Sequence, residues 1–530
     1  MFVAFIRFLT SNGGENMRKT VLSLSRLWFA GALLLAALSV PAGGRPAEAG
    51  LGNDELVLVE REIACNTDPA FYPGSNHYVK SGAAELLFKV DPQGVVQPSL
   101  AQGIEQVDPH TWRIRLRPEG RFWSGKSIDA ESVVASLERS RRTNVRAAPF
   151  LDGLSFEPLD RWTVEVTTKR KNLSVPLSLS YMELCIINAD APHTSVETMD
   201  MSGMYRVVSF EPKKRMVLER SLNYYGEKPV IGRIVHEEIS DAETRVLAIL
   251  SGRADIVMHI PPEHMAQFDG RKDVVLHTTP PASTETVYLN LSRPQLRDVR
   301  VRQALSWGLN RGELVLLGAE GRSFPVTTWL GSNPRYRDSV GGIYDHYDPE
   351  RAGALLDEAG WKLEKDGLRR RDGVVLSMRL MTWGPGKAVG EAIQHQWTKL
   401  GVAAEVRHGD YSLIQTARET GDWDALIEGW QTFGDEFALL SGQFAPKGTA
   451  NYGGYDDAET NALLEELSNA GTEAARRELA MKVDARVAER APCIFLYPRP
   501  EGVATRADLK GYVDHFRKFE NAINAQLHFE

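Results

Sequence analysis

The sequence predicts an α/β protein built from more than one domain, and three observations carry that prediction. The chain has 530 residues, and domains run to roughly 100–200 residues, so about three are expected. Short β-rich runs alternate with amphipathic helical stretches, the pattern of β–helix–β units. No internal repeat or low-complexity tract interrupts the alternation, which sets aside solenoids and fibres. A hydrophobic fraction of 43% and a charged fraction of 25% are globular values and exclude wholesale disorder.

The first segment is not part of that fold. Arg18, Lys19 and Arg26 precede an uncharged apolar stretch at 27–40, then Pro41 and the small-residue sequence Ala47-Glu48-Ala49. A positive start, an apolar middle and an A-x-A site make a secretory signal, so residues 1–49 are expected to be removed. The apolar stretch falls well short of the ~20 residues a spanning helix needs. Met17 is an alternative start. No later stretch approaches ~18 uncharged apolar residues, so an exported soluble protein is expected.

The remaining elements follow in order. Residues 56–60 and 111–116 read as strands, the second by strict alternation, and 162–167 repeats it. Residues 242–251 read as a helix stopped by Gly252, with a strand at 254–258. Asp298 caps a helix through Val301, Ala304 and Leu305. Asp348-Pro349 starts another, with a capping carboxylate and then Pro in the first turn, and Gly360 ends it. A helix at about 390–400 leads into a strand at 402–406. Helical stretches at 458–467 and 474–488 precede the apolar run 493–497.

Charge and cysteine content narrow the function classes. Lys+Arg is 62 against 70 Asp+Glu, a net charge of −8, without the basic surface a nucleic-acid binder needs to displace counterions. Cys65, Cys185 and Cys493 are odd in number and far apart, a spacing that fits no metal site. Buried thiols are expected, with one disulfide as the alternative. No cofactor is expected.

One motif match is strict. Gly120-Arg-Phe-Trp-Ser-Gly125-Lys126-Ser127 satisfies the phosphate-loop pattern. A true phosphate loop follows a strand directly and opens a helix at its Lys. Here a Pro118-Glu119-Gly120 turn intervenes, Phe122 and Trp123 put bulk in the loop, and the next helix starts at Asp129, so the match is a coincidence of spacing. H-E-x-x-H, G-x-S-x-G and paired C-x-x-C are absent. His259 and His264 flank Pro261-Pro262, which breaks any helix that would align them as ligands. An enzyme is poorly supported. Two tryptophans are better placed: Trp383 follows a strand at 376–381, and Trp430 follows the apolar run 425–427. Ligands of open α/β sheets bind at the carboxyl ends of strands, so both are candidate cleft residues.

Four segments carry a family resemblance. They are 121–134, Ser202-Gly-Met-Tyr-Arg-Val207 with 218–226, Tyr288-Leu-Asn-Leu-Ser-Arg-Pro294 with 298–305, and 347–361 ending Ala359-Gly-Trp361. In this order they resemble the extracellular solute-binding proteins of family 5, periplasmic receptors for peptides, nickel chelates and related solutes that feed ABC importers. The resemblance covers nearly all of the chain after residue 49. It implies a two-lobed periplasmic binding protein fold of type II with an extra subdomain, the lobes joined by two hinge crossings. Lobe I would take 50–89, 206–288 and 493–530, the extra subdomain 90–205, and lobe II 289–492, with crossings near Leu289 and near 495–496.

By the same resemblance the protein is a monomeric, non-enzymatic receptor in the periplasm. It would close on a small polar solute, most simply a peptide-like one, and present it to an inner-membrane permease. A metal chelate, an opine or a sugar derivative is the alternative within the class. A secreted hydrolase using cleft carboxylates, or an exported chaperone or signalling receptor, are alternatives outside it. Peptide-binding members carry Asp three residues after the lobe II Trp, to meet the peptide ammonium. That position is Phe433 here, and Asp435 is the nearest carboxylate. Nickel-chelate members carry Arg in the segment resembling 179–185, which has none here, and a His after the Trp, where Lys447 is the nearest cation. Asp68, Phe71 and Tyr72 lie where members place ligand-facing side chains after the first strand. Tyr411 reads as packing.

Overall fold

The computed structural model describes residues 54–71, 74–169, 171, 174–517, 520 and 522–530. The signal sequence expected at 1–49 and the candidate Tyr72 lie outside the described residues. Three sheets organise the chain. A seven-stranded mixed sheet runs Val274–His277, Gly502–Arg506, Ile256–Ile260, Glu55–Glu60, Arg233–Glu238, Arg215–Arg220, Tyr205–Glu211. A five-stranded mixed sheet runs Ala403–Gly409, Ser377–Trp383, Ala425–Gln431, Ser283–Leu289, Cys493–Tyr497. A four-stranded antiparallel sheet joins Ala101–Asp108, Thr111–Leu116, Thr163–Thr168 and Leu154–Asp160.

Each sheet has its own apolar faces. In Glu55–Glu60, Leu56 and Leu58 enter one core with Ile234, Ile256 and Met258, while Val57 and Val59 enter the opposite one with Val235, Val257 and Ile260. Burial on both faces is why this strand is a continuous apolar run. In the second lobe Ala425 and Ile427 face one core, and Leu426 faces the other with Tyr288, Met381 and Phe495. The four-stranded sheet buries Leu116, Val164 and Val166 with Phe122 and with Val133 and Leu137 of the helix Ala130–Thr143.

The caps read from the sequence are made. Asp298 accepts from Arg300 N ahead of Val299–Trp307, and Asp348 from Arg351 N ahead of Pro349–Glu358. The phosphate-loop segment is a packed turn: Arg121 and Ser127 bridge, Phe122 and Trp123 are buried, and Lys126 Nζ pairs with Asp190 at 2.6 Å. The helix behind it starts only after the Asp129 cap. All three cysteines are free thiols, Cys185 and Cys493 buried.

The passages between lobes differ from the expected ones. Ser283–Leu289 pairs along its whole length with Ala425–Gln431, and Cys493–Tyr497 pairs with it on the other side. Both strands therefore belong to the five-stranded lobe. The chain crosses at 278–282 and at 498–501, rather than near Leu289 and 495–496. The physical reason is proline. Pro280 and Pro281 at one passage, Pro498 and Pro500 at the other, lack the N–H that a ladder needs, so pairing stops there. Apolar content alone did not reveal where pairing begins.

Candidate functional site

A cavity of about 570 Å³ lies between the two large lobes and is walled by both of them and by the four-stranded subdomain. That size suits a small organic solute, since such pockets span roughly 300–1,000 Å³. From the seven-stranded lobe come Arg61 and Glu62, directly after the strand Glu55–Glu60, then Asn76 and Lys80 of the helix Gly74–Lys80, and His259 of Ile256–Ile260. Arg146, Phe150, Tyr181 and Glu183 come from the subdomain side, and Arg517 from the C-terminal segment. Opposite them the five-stranded lobe presents Gly429, Trp430 and Gln431 at the carboxyl end of Ala425–Gln431, with Leu439 and Gln443 of the helix Glu436–Phe444.

Trp430 is held from behind. Its ring lies 6.2 Å from Tyr452, whose ring carries the Arg418 guanidinium at 3.9 Å from its centroid. Arg418 is ion-paired with Glu428, on the same strand face as Trp430. Burial pushes the Glu428 carboxyl up to about 7, against the pull of Arg418 and with a push from Glu285. The indole Nε1 of Trp430 is buried and has no hydrogen-bond partner among the described residues. Trp430 thus offers the cavity a ring face.

The facing wall is cationic. Arg517 lies 4.8 Å over the Tyr181 ring, donates from Nη1 to Ser180 Oγ at 3.1 Å, and is steadied by Glu520 at 3.3 Å. Tyr181 stacks on Phe150 with centroids 3.7 Å apart. Burial pushes the Glu183 carboxyl up, against the opposing pull of Arg517 and Arg146. Asn76 Oδ1 is buried without a hydrogen-bond partner among the described residues. Three guanidiniums, those of Arg61, Arg146 and Arg517, therefore line one cavity opposite Trp430.

The candidates read from the sequence scatter around this space. Of the described candidates only Trp430 lines it. Trp383 stacks edge-on with Tyr411 at 4.8 Å, on the outer part of the same core. Phe433 is buried against Phe516 at 4.8 Å in a small cluster with Val90, Leu177 and Ala282. Asp435 caps Glu436–Phe444, is ion-paired with Arg476, and lines a neighbouring cavity of about 460 Å³. Asp68 is clamped by both Arg139 amino groups at 2.8 and 2.6 Å, Phe71 is half-exposed, and Lys447 is exposed. Sequence reading missed Arg61, Arg146, Glu183 and Arg517, because no spacing marks side chains that converge from four separate segments. The one available signal was position: Arg61-Glu62 directly follows a strand, where α/β sheets place ligands.

Comparison with known proteins agrees with this architecture. The chain is 24% identical over 401 residues to the nickel-binding periplasmic protein of Escherichia coli K12, covering 72% of this chain and 76% of that one. It is 24% identical over 508 residues to the periplasmic oligopeptide-binding protein OppA of the same strain, covering 88% and 90%. Among solved structures, NikA from Brucella suis in complex with Fe(III)-EDTA superposes with a TM-score of 0.80 at 21% identity, over 90% of this chain and all of that one, a likeness of fold. Residues 95–451 match the family described as bacterial extracellular solute-binding proteins, family 5 Middle. With the sheet pair, the double crossing and the interlobe cavity, that match makes this chain a member of the bacterial extracellular solute-binding proteins, family 5.

Proposed function

We propose that the protein is an exported, periplasmic, non-enzymatic receptor that encloses a small polar, carboxylate-bearing solute and hands it to an ABC permease. One observation carries this reading: Arg146 and Arg517 face Trp430 across an interlobe cavity. Guanidiniums bind carboxylates through paired, charge-assisted hydrogen bonds, and the tryptophan supplies a stacking face. A peptide-like solute fits if its carboxylate meets the arginines and its amine meets Glu183 or Glu62. A metal chelate or an opine is the second reading, favoured because cationic side chains outnumber acidic ones on the wall. The secretory pattern of residues 1–49 supports export. Among the described residues no helix is long and apolar enough to cross a membrane.

The test is mass spectrometry of the protein purified from periplasm, first native and then denatured, to identify a carried solute. A released small carboxylate supports the proposal. A neutral or purely cationic solute refutes the arginine reading, and turnover of the solute by pure protein refutes the receptor reading.

A further inference from the structure

Beneath the solute cavity lies a charged assembly that solute capture does not by itself require. Glu60, fully buried at the carboxyl end of its strand, accepts from four donors. These are Lys80 Nζ at 2.5 Å, His236 Nε2 at 3.1 Å, His259 Nε2 at 3.1 Å and His77 Nδ1 at 3.3 Å. His77 and Lys80 are three apart on Gly74–Lys80, hence on one helix face. His236 stands on Arg233–Glu238, beside Glu60's strand.

His259 reaches this hub only through a distorted backbone. In Ile256–Ile260, Ile256 and Met258 point to the Glu60 side of the sheet, so strict alternation would aim residue 259 away. Instead His259 has φ +57°, the pairing register shifts between Val257 and Ile260, and Ile260 joins Val257 on the far face. A non-glycine residue in the left-handed region is uncommon and costs energy, and bulges of this kind re-aim a side chain. The other imidazole nitrogen, Nδ1, lies 3.2 Å from Glu501 Oε2. Glu501 belongs to 498–501, one of the two passages between the lobes. His259 and Lys80 also line the solute cavity.

We propose that His259 is a positioning residue of the hinge: the strand bulge sets its ring between two carboxylates, and there it ties the passage residue Glu501 to the buried Glu60. The proposal rests on the two-lobed, hinge-closing reading of the cavity. The ring bridges the carboxylates through its two nitrogens, Nε2 toward Glu60 and Nδ1 toward Glu501. Glu60 faces it from its strand, with Lys80, His77 and His236 behind that carboxylate. Glu501 faces it from the passage. Arg245 donates from Nη2 to the His259 carbonyl at 2.7 Å. Arg61, Glu62, Arg146, Glu183 and Arg517 share the cavity.

The experiment measures the interlobe distance without any solute, so it does not depend on which solute the cavity takes. Spin labels go on Val208→Cys and Val374→Cys, both exposed and one on each lobe, in a Cys65→Ser background. Distance distributions are recorded at one near-neutral pH for wild type and for Glu501→Ala, which removes the acceptor. The expected result is a distribution that is broader or shifted in Glu501→Ala, with melting temperature and circular dichroism unchanged. His259→Ala is the second variant and should match Glu501→Ala. If His259→Ala fails to fold, the peripheral Glu501→Ala decides. A Glu501→Ala distribution identical to that of wild type overturns the proposal.

Discussion

Replacing Glu60 with Gln tests the energetics of the hub directly. The side chain keeps its shape, but the carboxylate bonded to Lys80 Nζ disappears while Lys80 remains about nine-tenths buried. Removing one member of a buried ion pair costs ~3–5 kcal/mol. At about 2 °C per kcal/mol for a lobe of this size, the melting temperature should fall by roughly 6–10 °C at pH 7. The pH profile carries a second signature. Burial alone would raise the Glu60 carboxyl, but Lys80 and the hydrogen bonds from His236, His259 and His77 outweigh it and hold the carboxyl well below its usual range. A folded value below the unfolded one, about 4.3, means stability that is present above that pH and lost as pH falls through the folded value. The gap between wild type and Glu60→Gln should therefore be full above about pH 5 and narrow in acid. The assay is thermal unfolding by circular dichroism from pH 3 to 8. A gap under about 2 °C at pH 7, or one that does not narrow in acid, would refute the reasoning.

Three further outcomes are expected. Trp430→Ala should weaken binding of the co-purified solute by at least ~1 kcal/mol, about fivefold, on calorimetric titration, and Trp430→Phe should recover part of that loss through its ring. Gly434→Ala should lower both melting temperature and solute affinity, because Gly434 has φ +159° and a Cβ there would collide with the Tyr181 hydroxyl across the cleft; equal melting and equal affinity would show that this contact is not held. Asp484 is buried, accepts from Leu330 N at 3.2 Å, and is pushed up to about 7 by burial. A raised folded value gives stability that is present below the unfolded value, about 3.9, and lost as pH rises through about 7, so Asp484→Asn should melt at or above wild type at pH 8, with the gain shrinking as pH falls toward about 4.

Local chemistry made much of the chain legible from sequence. Asp298, Asp348 and the glycines after helices mark boundaries because they satisfy, or interrupt, backbone hydrogen bonds within a few residues. Trp430 was legible for the same kind of reason: the residues that end an apolar strand sit at the sheet's carboxyl edge, where solutes bind. The ordered motifs were enough to point to the family. The dismissal of the phosphate loop rested equally on local facts, the bulk of Phe122 and Trp123 and the late start of the helix.

What the tertiary structure decided depends on contacts between segments far apart in the chain. Asp435 looked like an ammonium partner until Arg476, far along the chain, was seen paired with it. His259 looked like an isolated histidine beside two prolines, and only the bulge in its strand turns it toward Glu60 and Glu501. The cationic wall assembles Arg61, Arg146 and Arg517 from segments that no spacing rule connects. Sequence by itself determined which elements form and which family they compose, because hydrogen-bond capping and apolar periodicity act over one or two turns. Which charges meet, and therefore what the cavity attracts and how the hinge is held, was decided by packing that brings together residues hundreds of positions apart, 242 for His259 and Glu501 and 337 for Arg517 and Ser180.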